Sequence, residues 1–215
     1  MRHFWTVNAL LTVLVLASLA APALLRADIT ITTNVYTNAD ARVYVGAPDV
    51  NDGTGTLYVN PVGIRSYLNF DVTSAVPAGG TFHSATLWVY AYAQYNVPWA
   101  TIGAHEVTGT WTETGITWNN QPTYNAVPLD TKYEYSWPLW WSWDVSKAWP
   151  GTGDFDIVLA PIGSGIGQTG FRSRESGPSA YLEVTYGVPE PGALGMLAAF
   201  AIPGLMLWRK RRKAA

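Results

Sequence analysis

The chain has 215 residues and a formal charge of −2, and 48% of its residues are hydrophobic while only 13% are charged. Residues 28–187 hold six basic against 14 acidic side chains, a net charge of −8, which disfavours a nucleic-acid or anionic-membrane partner. Cysteine is absent, so disulfides, thiol catalysis and zinc–cysteine sites are excluded; nine of the 11 Trp and all 12 Tyr fall in residues 28–187, which excludes intrinsic disorder.

In chain order, residues 1–27 come first. Arg2 precedes an apolar stretch from Ala9 to Leu25 that ends Leu25-Arg26-Ala27, the pattern of a secretory signal peptide with cleavage expected after Ala27, or after Ala23 as the fallback. The next 160 residues contain 17 Gly and 10 Pro as punctuation between short runs rich in Thr, Val, Ile, Tyr and Trp. Such runs read as strands and turns. Strands are expected at 29–35, 42–46, 56–60, 65–72, 84–93, 101–108, 141–145, 155–160, 169–173 and 181–186, with one helical turn at 146–149. Many short strands without alternating helices predict an all-β, antiparallel jelly-roll sandwich spanning 28–187.

The stretch Ser84–Ala93 is the most informative. Ala85, Leu87, Val89, Ala91 and Ala93 alternate with Thr86, Trp88, Tyr90 and Tyr92, so one face is aliphatic and the other aromatic. The aliphatic face is the core candidate. The opposite face becomes a ladder of rings about 7 Å apart, a spacing on the scale of sugar repeats.

At the C-terminal end, residues 188–215 combine Val188-Pro189-Glu190-Pro191, the apolar run Gly192–Trp208 and the cluster Arg209-Lys210-Arg211-Arg212-Lys213. Seventeen residues of helix reach about 26 Å, enough to cross a slightly thinned bilayer. The basic cluster keeps its own side cytoplasmic and sends residues 28–187 outward, in agreement with the signal peptide. The order of these parts resembles the PEP-CTERM sorting tail of bacterial surface and exopolysaccharide-associated proteins. That resemblance implies Pro189, Glu190 and Pro191 as the sorting motif, an exosortase-type membrane protease as partner, membrane insertion before sorting, and a Gram-negative-type envelope or extracellular matrix as destination.

A second resemblance rests on Asp40-Ala41-Arg42-Val43, Arg65-Ser66-Tyr67-Leu68-Asn69-Phe70-Asp71-Val72, Ser84-Ala85-Thr86-Leu87, Val107-Thr108-Gly109-Thr110-Trp111-Thr112-Glu113, Ile116-Thr117-Trp118-Asn119-Asn120-Gln121-Pro122, Trp143-Asp144-Val145, Ser173-Arg174-Glu175 and Tyr181-Leu182-Glu183-Val184. This series resembles the DNRLRE domain, a bacterial and archaeal jelly-roll family grouped with carbohydrate-binding modules. The resemblance implies a noncatalytic surface module. Within it Trp111, Trp118, Trp143 and Trp149 are expected to be core rings. Arg65, Asp71, Arg174 and Glu175 are expected to pair, since buried charges need partners, and Asn119–Pro122 to supply turn chemistry.

Rings outside that shared set are the binding candidates: Trp88, Tyr90 and Tyr92 on the ladder, Trp99 in a loop, and Tyr135, Trp137 and Trp140 in an aromatic insert with Tyr133 and Trp141. Indoles and phenols cover the apolar C–H faces of sugars, while Asn, Gln and Thr take hydroxyls. The charge of −8 favours a neutral polysaccharide as partner. The same rings suit a structural or adhesive protein that binds protein partners, the first rival.

Catalytic signals are weak. His83 and His105 lack metal-ligand spacing, and the carboxylate pair Glu106 and Glu113 is the only basis for a glycan-active enzyme, so no catalytic residue is expected. Gly163-Ser164-Gly165-Ile166-Gly167 lacks the Lys of a phosphate loop, and Asp49-Val50-Asn51-Asp52-Gly53 departs from the EF-hand order. No cofactor is expected, and a structural calcium ion near Asp40 is left open.

Overall fold

The computed structural model describes residues 28–96, 101–133 and 137–189. The expected signal peptide, Glu190, Pro191 and the apolar run 192–208 lie outside them. Among the described residues no helix is long and apolar enough to cross a membrane.

Eleven strands are described: β1 (Asp28–Tyr36), β2 (Ala39–Tyr44), β3 (Leu57–Val59), β4 (Ile64–Asp71), β5 (Thr81–Tyr95), β6 (Thr101–Glu106), β7 (Asp130–Lys132), β8 (Leu139–Asp144), β9 (Asp154–Ile162), β10 (Gln168–Phe171) and β11 (Tyr181–Pro189). One 3-10 turn, Ser146–Ala148, follows β8. All ten expected strands are present. The eleventh, β7, carries only Asp130-Thr131-Lys132, too short and polar to show an alternation.

Residues Ile31–Tyr186 form one compact unit of two sheets. The first runs β1-β11-β5-β10-β3, with β8 paired to β5; the second runs β2-β4-β9-β6-β7. The pairings that can be read residue by residue, such as β5 with β8 and β4 with β9, are antiparallel. The core lies between the sheets. Leu57, Leu87, Val89, Trp143, Phe171 and Leu182 of the first meet Leu68, Phe70, Ile102, Phe155, Ile157 and Leu159 of the second, all buried. The described residues therefore form an all-β sandwich.

The second sheet is buried on its other face as well. Ala41, Val43, Tyr67 and Val158 point away from the central core and pack with Val107, Ile116, Trp111, Trp118 and Tyr124. The cap that covers them is the segment 107–125, which contains the Trp-Thr-Glu and Thr-Trp-Asn-Asn-Gln-Pro blocks. Its turns are closed by the Asn and Gln side chains. Asn120 accepts from the Thr117 N–H (2.6 Å) and donates to the Gly115 carbonyl (2.9 Å), while Gln121 donates to the Trp118 carbonyl and accepts from Arg65. Trp111 donates its Nε1–H to Asp156 (2.7 Å). Trp143 is fully buried, whereas Trp111 and Trp118 pack under the cap and Trp149 flanks the core.

The expected charge network does not form as one unit. Asp71 is exposed and accepts from the Thr73 N–H, and the Arg65 guanidinium lies over Trp118 (4.7 Å) and Tyr124 (5.5 Å). Of the four, only Arg174 and Glu175 pair, at 3.1 Å. Cation–π stacking replaces a carboxylate partner for Arg65 because the cap brings rings to it.

His105 is buried against this cap. Its Nδ1–H donates to the Asn125 carbonyl (2.8 Å) and its Nε2 has no partner. Burial lowers its pKa from the ordinary value, opposed by the Asn125 bond and assisted by the Arg65 charge. Folding thus favours the neutral ring, and its contribution to stability is lost as pH falls through about 6.5. Chemical denaturation should show the stability gap between wild type and His105→Gln narrowing from pH 7.5 to pH 5. Leu87→Ala should cost about 2–5 kcal/mol in the same assay at neutral pH.

Candidate functional site

With the second sheet covered on both sides, the outer face of the first sheet carries a contiguous group of partly exposed rings. On β5 the odd positions Ala85 to Ala93 are all buried, and Trp88, Tyr90 and Tyr92 are half-buried on the opposite face. β8 sets Trp140 opposite Tyr90, and the two rings meet edge to face at 5.4 Å. From β11, Tyr181 touches Trp140 at 5.2 Å and lies nearly parallel to Trp88, 15° apart at 6.3 Å. Tyr36, at the end of β1, extends the patch to Tyr181 (5.8 Å).

A second group continues beyond Tyr90. The Tyr58 ring of β3 lies 6.4 Å from both Tyr92 and Tyr95, and the Tyr58 and Tyr92 hydroxyls share a hydrogen bond of 2.6 Å. Burial, then that hydrogen bond, raise the pKa of Tyr92, so it is neutral at physiological pH. The Arg172 guanidinium sits over Tyr92 (4.7 Å), and Arg42, paired with Asp52, sits over Tyr58 (4.9 Å). Gly170 of β10 lies beneath these rings. A Cβ there would stand 2.9 Å from both Tyr58 and Tyr92, so the glycine is what lets the two phenols converge.

The ladder read from the sequence is thus present but differs in form. Most neighbouring rings cross at 50° to 77°. They form a mosaic of tilted and edge-to-face contacts rather than a row of parallel plates, because antiparallel pairing places rings beside one another too closely to lie flat. Trp140 and the three β5 rings are brought together. Trp137 is 54% exposed at the start of the β8 segment, and the ring contacts that hold the mosaic together do not involve it. Trp99 and Tyr135 lie outside the described residues. Trp141 is corrected from a surface ring to a core one: it is 3% exposed and contacts Trp143 and Phe171. Sequence reasoning missed Tyr36, Tyr58, Tyr95 and Tyr181, although Tyr58 and Tyr181 each precede or divide buried aliphatics in the same period-two pattern.

Other candidate chemistry is structural. A depression of about 360 Å³ in the cap is lined by Thr110, Trp111, Thr112, Gly115, Ile116 and Asn120, without a titratable side chain. Glu106 accepts from Asn125 (2.6 Å) and Glu113 from the Asp40 N–H (3.0 Å) and Arg174 (2.7 Å). Each carboxylate is therefore occupied in separate loop contacts. Asp40, Glu113 and Glu175 each place a carboxylate oxygen within 4.8 Å of the others. Burial, tempered by the Arg174 backbone N–H and reinforced by Glu175 and Glu113, pushes the Asp40 carboxyl up to about 7.

Compared with known proteins, residues 31–186 match the family model of carbohydrate-binding module family 96. No curated protein matches the chain. If Gly170 is what makes room for the two phenols, Gly170→Ala should cost about 1–3 kcal/mol by crowding and alter the near-ultraviolet circular dichroism of the tyrosines. Wild-type spectra and stability in this variant would refute that role.

Proposed function

The chain belongs to carbohydrate-binding module family 96, and from that premise we propose that a polysaccharide lies across the ring mosaic of the first sheet. The observation that carries this reading is the grouping of Trp88, Tyr90, Tyr92 and Trp140 with Tyr36, Tyr58, Tyr95 and Tyr181 on one partly exposed face. The domain is a noncatalytic binding module. Rings already held by their neighbours lose little freedom when a sugar stacks on them, which keeps the cost of binding low.

The wider reading adds export by residues 1–27, sorting through Pro189, Glu190 and Pro191 by an exosortase-like protease, and residence at the surface or in the extracellular matrix of a Gram-negative-type bacterium. In finer family terms the domain is of the DNRLRE jelly-roll type. The net charge of −8 over residues 28–187 favours a neutral chain, with Arg172 on Tyr92 as a local exception.

Affinity gel electrophoresis of the full chain against a panel of neutral glycans and uronate polymers tests this. Retention by a neutral glycan is expected, and Trp88→Ala or Trp140→Ala should weaken it by about 1–3 kcal/mol, taking base stacking as the guide to sugar stacking, with the far-ultraviolet spectrum unchanged. No retention by any glycan, or equal retention of both variants, removes the face from consideration and leaves a protein-binding scaffold.

A further inference from the structure

The cluster of Asp40, Glu113 and Glu175 has no part in the ring face, and its charge is unbalanced. Asp40 is on β2 in the second sheet, Glu113 in the cap, and Glu175 in the turn that follows β10 of the first sheet. Their carboxylate oxygens come within 4.8 Å of one another, where three like charges repel strongly. Arg174 offsets two of them, bonding Glu113 Oε2 at 2.7 Å and Glu175 Oε1 at 3.1 Å. Asp40 receives only backbone help: its Oδ2 accepts from the Arg174 N–H at 2.8 Å. Its Oδ1 is buried with no partner, in a residue 1% exposed. A buried carboxylate oxygen left in that state costs several kcal/mol unless a positive partner reaches it.

We propose that Asp40, Glu113 and Glu175 form a calcium-binding site that fastens the cap and the turn after β10 to β2. The donors are all carboxylate oxygens, which suits a hard cation and not zinc or copper. Oxygens within 4.8 Å of one another can share a calcium ion at about 2.3–2.6 Å, whose flexible coordination suits ligands from three separate segments better than the near-ideal octahedron that magnesium demands. The ion meets Asp40 Oδ1, and with Arg174 it brings three negative charges to balance. Its effect is architectural, since the three ligands belong to both sheets and the cap.

The test is thermal unfolding of the full chain after chelation, followed by titration with calcium or magnesium chloride, and isothermal titration calorimetry with calcium alone. The midpoint should rise with calcium, more than with magnesium, and saturate below about 10 mM, the weakest extracellular modules binding near 10⁻³ M. Glu175→Gln, at an exposed position, should weaken calcium binding by about tenfold or more, and Asp40→Asn should abolish the response. A wild-type midpoint indifferent to calcium overturns the site, and with it an Asp40→Asn variant as stable as wild type would mean that Asp40 is held as the neutral acid. A calcium shift of equal size in wild type and Glu175→Gln also overturns it. None of these readouts involves a glycan, so they stand or fall apart from polysaccharide binding.

Discussion

The constraint on which the rest depends is the two-residue period of β5. A strand at the middle of a sheet must choose one face for the core, and Ala85, Leu87, Val89, Ala91 and Ala93 fix that choice with small and branched aliphatic groups. A shift of one position would drive Trp88, Tyr90 and Tyr92 into a space sized for alanines. The rings are held outward by what lies behind them. Trp140 and Tyr181 then take their places by pairing, because β8 and β11 obey the same alternation against the same core.

The two sheets use aromatic side chains for different ends. In the second, Tyr67, Trp111, Trp118 and Tyr124 fill the space beneath the cap and engage polar partners: Trp111 binds Asp156, the Tyr67 hydroxyl donates to Gln121, and Arg65 lies on Trp118 and Tyr124. Of these rings Tyr67 is fully buried, while Trp111, Trp118 and Tyr124 are partly buried against it. In the first sheet the rings contact mainly one another, tilted or edge to face, and keep part of their surface in water.

Much of the sandwich was legible because alternation is a local signal. The strands with aliphatic inward sets were found in place, and β5 divided into the two faces expected of it. What was not legible depends on contacts between distant segments. The cap over β2, β4 and β9 joins residues 107–125 to strands on either side of it in sequence, and nothing in its composition announces that it lies flat on a sheet. For the same reason Asp71, Arg65, Arg174 and Glu175, grouped by charge, separated into an exposed turn, a ring stack and one ion pair. Trp141 sits next to Trp140 but on the opposite face, a parity that required the register with β5. Tyr58 and Tyr181 carry the right pattern, but each is the lone ring on its face of its strand, so no ladder stands out.

The cap also limits what a single copy can hold. Among the described residues it takes up the outer surface of the second sheet and leaves the ring mosaic as one open aromatic side. On the proposal that a polysaccharide lies across that mosaic, this face would have a valence of one toward a long polymer, and cross-linking through it would require copies joined to each other or to a common support.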